Sequence, residues 1–98
     1  MLEVELQISD SIESEAVLRI VEQVCASNEL TCTLKGTLVS YPGSIHWHFK
    51  QGKQRGTLEI TWWENGHRLW FKVASGRTSG WILKSISQLK ERIEKLLP

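Results

Sequence analysis

Proline is scarce in this chain, with two residues in 98, and cysteine equally so. The shortage of proline excludes a proline-rich linker, and neither a glycine/serine stretch nor an internal repeat divides the sequence. Cys25 and Cys32 are too few for a disulfide framework and lack the closely spaced partners of a cysteine zinc site. Both fall at positions expected to face the core and are read as buried free thiols, which suits a cytoplasmic protein. No apolar run approaches the roughly 18 residues that span a bilayer, and Met1-Leu2-Glu3-Val4-Glu5 has no basic stretch before an apolar one. Neither export nor membrane insertion is expected. An excess of one charge is missing too: the formal net charge is +1, so any electrostatic attraction must come from local clustering.

What is present is an ordinary globular balance, 41% apolar and 23% charged, on a length that suits one domain with one modest core. The departure from average is five tryptophans, which must serve either the core or a contact surface.

Leu2, Val4, Leu6 and Ile8 alternate with polar residues, the period of a strand with one buried face. Asp10 and Glu13 then resemble a capping box, and Ile12, Ala16, Val17, Ile20, Val21 and Val24 form a helical stripe ending near Asn28. From Leu30 the period returns to two, with Cys32, Leu34 and Leu38 expected inside and Thr33, Lys35, Thr37 and Val39 outside. Tyr41-Pro42-Gly43-Ser44 fits a type II turn. Ile45, Trp47 and Phe49 mark the buried face of a third strand, and Leu58, Ile60 and Trp62 that of a fourth. Asn65-Gly66 predicts a type I′ hairpin that sets Trp62 beside Leu69 and Ile60 beside Phe71. After Ser75–Gly80 a second helical stripe runs through Ile82, Ile86, Leu89, Ile93 and Leu96. The predicted architecture is α+β in the order β-α-β-β-β-β-α: a mostly antiparallel five-stranded sheet with two helices on one face.

Such a sheet leaves its other face open, and the registers arrange that face in rows. One row is Thr37, His48, Glu59 and Lys72; the next is Val39, His46, Thr61 and Trp70; Trp63 faces Arg68. Lys35 and Lys50 complete the patch, Glu3 and Glu5 give it an acidic border if the first strand joins the fifth, and Lys53 and Arg55 in the loop between the third and fourth strands extend its charge. Tryptophans interleaved with cations are the means by which single-stranded nucleic acids are held on sheets. The same face, if its tryptophans are exposed, equally suits a second copy of the chain or another protein. A small ligand between helices and sheet is the third reading.

In His46-Trp47-His48 the two imidazoles point the same way, and Glu59 lies beside His48, so three ligand types stand together. With no fourth donor at a recognisable spacing, they are read as solvated surface residues, with no metal or other cofactor expected. Arg77, before the second helix, sits where an anion could meet helical amides, but Ser79 or Thr78 as a helix cap explains the segment as well. Neither a nucleophile with an assignable base nor a carboxylate pair at an apolar site is present, and the expectation is a binding module and not an enzyme.

The element order resembles one repeat of the TATA-binding-protein-like fold, in which helices back a curved antiparallel sheet. The resemblance covers the whole chain as topology and implies a sheet face free to bind; the apolar wedge residues that kink DNA in that family have no counterpart here. The stretches Gly43–Phe49, Gly56–Trp62 and Arg68–Lys72 also look like small bacterial proteins, a resemblance that implies no activity.

Overall fold

A computed structural model describes residues 1–98. The strands are β1 (Leu2–Glu5), β2 (Thr31–Gly36), β3 (Ile45–Lys50), β4 (Leu58–Trp63) and β5 (Arg68–Val73), and the helices are α1 (Ser14–Ser27) and α2 (Gly80–Leu96). All pairings are antiparallel, in the order β1-β5-β4-β3-β2. The fold class is therefore α+β, as the sequence predicts, with β1 and β2 at opposite edges.

The buried face collects Trp47 and Phe49 of β3, Leu58, Ile60 and Trp62 of β4, and Leu69, Phe71 and Val73 of β5. Against it lie Val17, Ile20, Val21, Val24 and Cys25 of α1 with Trp81, Ile82, Leu89 and Ile93 of α2. Burying each large aliphatic or aromatic side chain here contributes about 1.5–3 kcal/mol, so the common face is what holds the layers together. The indoles inside it keep their N–H groups bonded. Trp62 Nε1 donates to Ser14 Oγ at 2.8 Å and Trp47 Nε1 to Glu22 Oε2 at 2.9 Å, both on α1. Trp81 Nε1 donates to the Arg55 carbonyl at 2.8 Å, tying the β3–β4 loop to α2.

Helix starts and turns depart from expectation in several places. The chain enters α1 at Glu13, without a side-chain cap, so the Asp10–Glu13 box does not form. Ser79 stands at the N-cap of α2, also without a side-chain cap bond. Leu96, the last residue of the predicted α2 stripe, is exposed, and Leu97 just beyond the helix turns inward instead. The turn at Tyr41–Ser44 is as predicted, with Ser44 N–H donating to the Tyr41 carbonyl at 3.0 Å and Gly43 at φ +81°. The β4–β5 connection keeps the predicted pairing of Trp63 with Arg68, Trp62 with Leu69 and Ile60 with Phe71, but not as a type I′ turn. Its left-handed residue is His67, at φ +52°. Gly66 is required for a different reason: a Cβ there would stand 2.1 Å from the Trp63 ring.

Candidate binding face

The sheet face turned away from the helices is built on β3, β4 and β5, whose registers match the predicted rows: His46 pairs with Thr61, His48 with Glu59, Glu59 with Lys72, and Thr61 with Trp70. Glu3 lies opposite Lys72 and Glu5 opposite Trp70, so β1 supplies the acidic border beside β5. The second strand differs. A bulge between Cys32 and Leu34 shifts its register, placing Leu34 opposite His48 and Gly36 opposite His46, where Thr37 and Val39 were expected. The shift reverses the strand's outer half. Leu34 is 47% exposed on the open face, while Lys35, opposite the core residue Trp47, reaches Glu22 on α1 at 2.7 Å. Lys35 therefore belongs to the helix side. Cys32, at the sheet's edge, is exposed and not buried.

The segment from Thr37 to Ser44, which the strand no longer uses, folds back over the aromatic end of this face. Tyr41 meets Trp63 and Trp70 edge-on, with ring centroids 5.1 and 5.0 Å apart. Trp63 Nε1 and Asn65 Nδ2 both donate to the Pro42 carbonyl, each at 3.2 Å. The Arg68 guanidinium lies 4.2 Å from the centroid of the Trp70 ring and pairs with Glu5. In consequence Trp70 is only 4% exposed, and Trp63 half-buried. Arg68 thus covers Trp70 and not the facing Trp63.

Next to this aromatic cap lies a polar cluster at the centre of the sheet. His46 Nε2 stands 3.1 Å from His48 Nε2 and 3.4 Å from Glu59 Oε1, and His48 Nε2 is 3.9 Å from the same carboxylate oxygen. His46 Nδ1 is 2.8 Å from Thr61 Oγ1. His46 and Glu59 are buried and His48 half-buried, so the solvated histidines expected from the sequence are instead an internal cluster. Burial holds His46 below the ordinary imidazole range, with His48 and Lys72 adding to the effect and Glu59 opposing it, so its neutral form is favoured. His67, the third histidine, bonds the Ser9 carbonyl through Nε2 at 2.8 Å and stands apart.

Of the remaining cations, Lys50 and Lys72 are half-buried on this face, and Lys53, Arg55 and Arg77 are exposed on loops. The Arg55 backbone is held toward α2 by Trp81, and the Arg77 carbonyl accepts from Thr57 N–H at 3.0 Å. Neither loop lies on the sheet face proper. No enclosed cavity separates helices and sheet; the depressions present are open ones at the rim, one between Leu2, Val73 and Leu83, the other around Gln51, Gln54 and Lys84. No helix is long and apolar enough to cross a membrane.

The strand pattern pointed to His46, His48, Trp63, Arg68 and Trp70, but gave no sign of Tyr41 or Leu34. Tyr41 sits in a turn, where side-chain periodicity has no meaning, and Leu34 changes face because of a bulge that no residue type announces. No family model matches the chain, and neither does any curated protein or solved structure.

Proposed function

We propose that the chain is a non-enzymatic binding module that works through the β2 side of its sheet, and that its partner is protein, a second copy of the same chain first of all. The observation that carries this reading is the free edge at β2. Every residue from Thr31 to Gly36 is exposed, Leu34 turns its side chain outward, and Val39 beyond the strand is 96% exposed. An edge strand offers an unpaired row of N–H and C=O groups to another strand, and apolar side chains beside it add the affinity that backbone bonds alone do not provide. At the other edge, β1 has four residues and bears Glu3 and Glu5, features that discourage such pairing.

Single-stranded nucleic acid takes second place because Trp70 is sealed under Tyr41 and Arg68 and has no free face for a base. Half-buried Trp63 with Lys50 and Lys72 is the support that reading retains. The resemblance to a TATA-binding-protein-like repeat bears on the point only through stoichiometry, since one such unit would need a second copy to build a two-fold saddle. The cytoplasmic placement rests on the two free thiols.

Sedimentation of the free protein over a hundredfold concentration range tests the reading. The expected result is a reversible monomer–dimer equilibrium that Leu34→Glu weakens at least tenfold, because a carboxylate would be buried at the contact. A strict monomer throughout, accompanied by salt-sensitive oligonucleotide binding, would transfer the function to the nucleic-acid reading.

A further inference from the structure

We propose that His46, His48 and Glu59 form a binding site for a divalent transition-metal ion of the zinc class, with Thr61 holding one imidazole in place. The site lies within a single chain and goes beyond the association reading, which neither requires nor excludes it.

The geometry is the first support. The same three atoms, His46 Nε2, His48 Nε2 and Glu59 Oε1, are separated by 3.1, 3.4 and 3.9 Å. A circle through three points so spaced has a radius of about 2.0 Å, the usual length of a bond from zinc to imidazole nitrogen or carboxylate oxygen. One ion at the centre stands within bonding distance of all three atoms.

Rigidity is the second. Both histidines are on β3 and the carboxylate on β4, paired strands inside the sheet and not loops, with His48 and Glu59 directly opposite each other. Thr61, the cross-strand partner of His46, meets that ring's other nitrogen at 2.8 Å. A hydrogen bond from Nδ1–H to the threonine oxygen leaves Nε2 a bare lone pair aimed into the triangle, the role that outer partners of metal-bound histidines perform.

With His46 donating to Thr61, an N–H on His48 Nε2 bonds the lone pair of His46 Nε2 across 3.1 Å. A divalent ion taking the place of that proton would engage both nitrogens and the Glu59 carboxylate together. Two imidazoles and one carboxylate select zinc, iron, nickel or copper over magnesium or calcium, which take oxygen ligands. Three protein ligands also leave at least one position for water or another oxygen ligand, and half-buried His48 is the side on which it opens. Lys72, opposite Glu59, opposes the ion's charge, but its long stem allows the ammonium to remain in water.

The test uses the full chain freed of metal by a chelator, then titrated with Zn(II) against a chromophoric competitor and with Co(II) in visible light. The expected result is one ion per chain, bound at about micromolar concentration or tighter, with the Co(II) bands of a nitrogen/oxygen site. Glu59→Gln and His48→Gln should each weaken binding by about a hundredfold or more, and Thr61→Val by about tenfold. If a variant fails to fold, the wild-type imidazole NMR signals decide: Zn(II) should shift those of His46 and His48 and leave His67 unmoved. The absence of saturable binding below about a millimolar, binding unweakened in both ligand variants, or sulfur-to-cobalt bands that place the ion on the thiols would each overturn the proposal.

Discussion

Cys25 and Cys32 show how much a single residue's behaviour depends on where its element ends. Both alternate correctly for the core, and both lie on the helix side of the sheet. Cys25 sits in the last turn of α1 and is fully buried, while Cys32 is on the edge strand β2 and meets water. Burial, with Cys32 and Glu22 nearby adding to it, pushes the Cys25 thiol up to about 12. The thiolate is the reactive form, so in mildly alkaline buffer the native protein should present one fast thiol, Cys32, with Cys25 at least about a thousandfold slower until denaturant is added. Mass spectrometry after a timed alkylation checks the count and the site. Equal labelling of both cysteines in the native state would mean that Cys25 is not buried between α1 and the sheet.

Among the elements, α1 is held to the sheet by more than its apolar stripe. Glu22 accepts from the indole N–H of Trp47 and pairs with Lys35 of β2, so one carboxylate joins the helix to the core and to the edge strand. Glu22→Ala would leave the indole without that partner and should cost about 1–3 kcal/mol in a denaturant titration, whereas Glu22→Gln, which still accepts, should cost less than about 1 kcal/mol. Lys35, followed by burial acting in the opposite sense and by Trp47, brings the Glu22 carboxyl below its ordinary value of 4.5. A lowered folded-state value means that the charged form's contribution is present above that ordinary value and is lost as pH falls through the lower one. The stability gap between wild type and Glu22→Gln should therefore close on acidification. A gap that widened instead would contradict the pairing.

The strands also show which parts of the architecture were legible. In β3, β4 and β5 every second residue is large and apolar, so a slip by one position would turn each of them into water, and the hairpin registers follow from that alone. The β4–β5 register survives even though the turn that makes it differs from the expected type, because the pairing of Trp62 with Leu69 sets it from both sides. Strand β2 lacks this protection. Its Thr, Leu, Lys and Gly residues fit either face, and a one-residue bulge exchanges Leu34 for Lys35 at little cost. The strand also ends at Gly36, and the segment beyond it carries Tyr41 over Trp63 and Trp70, a placement with no periodic signature.

At the scale of the whole molecule the five tryptophans divide by face. Trp47, Trp62 and Trp81 belong to the layer between sheet and helices, and Trp63 and Trp70 to the opposite side, where a turn of the chain caps them. That cap splits the far face into a closed aromatic end, a central cluster of His46, His48 and Glu59, and an uncovered margin along β2. Binding by stacked bases would need the first; association of two chains needs only the last. Amide hydrogen exchange, followed residue by residue at low and high protein concentration, tests this most directly. If two copies meet along β2, the amides of Thr31–Gly36 should become more protected as concentration rises while those of β1 stay unchanged. Protection in β2 that is the same at every concentration would contradict the account.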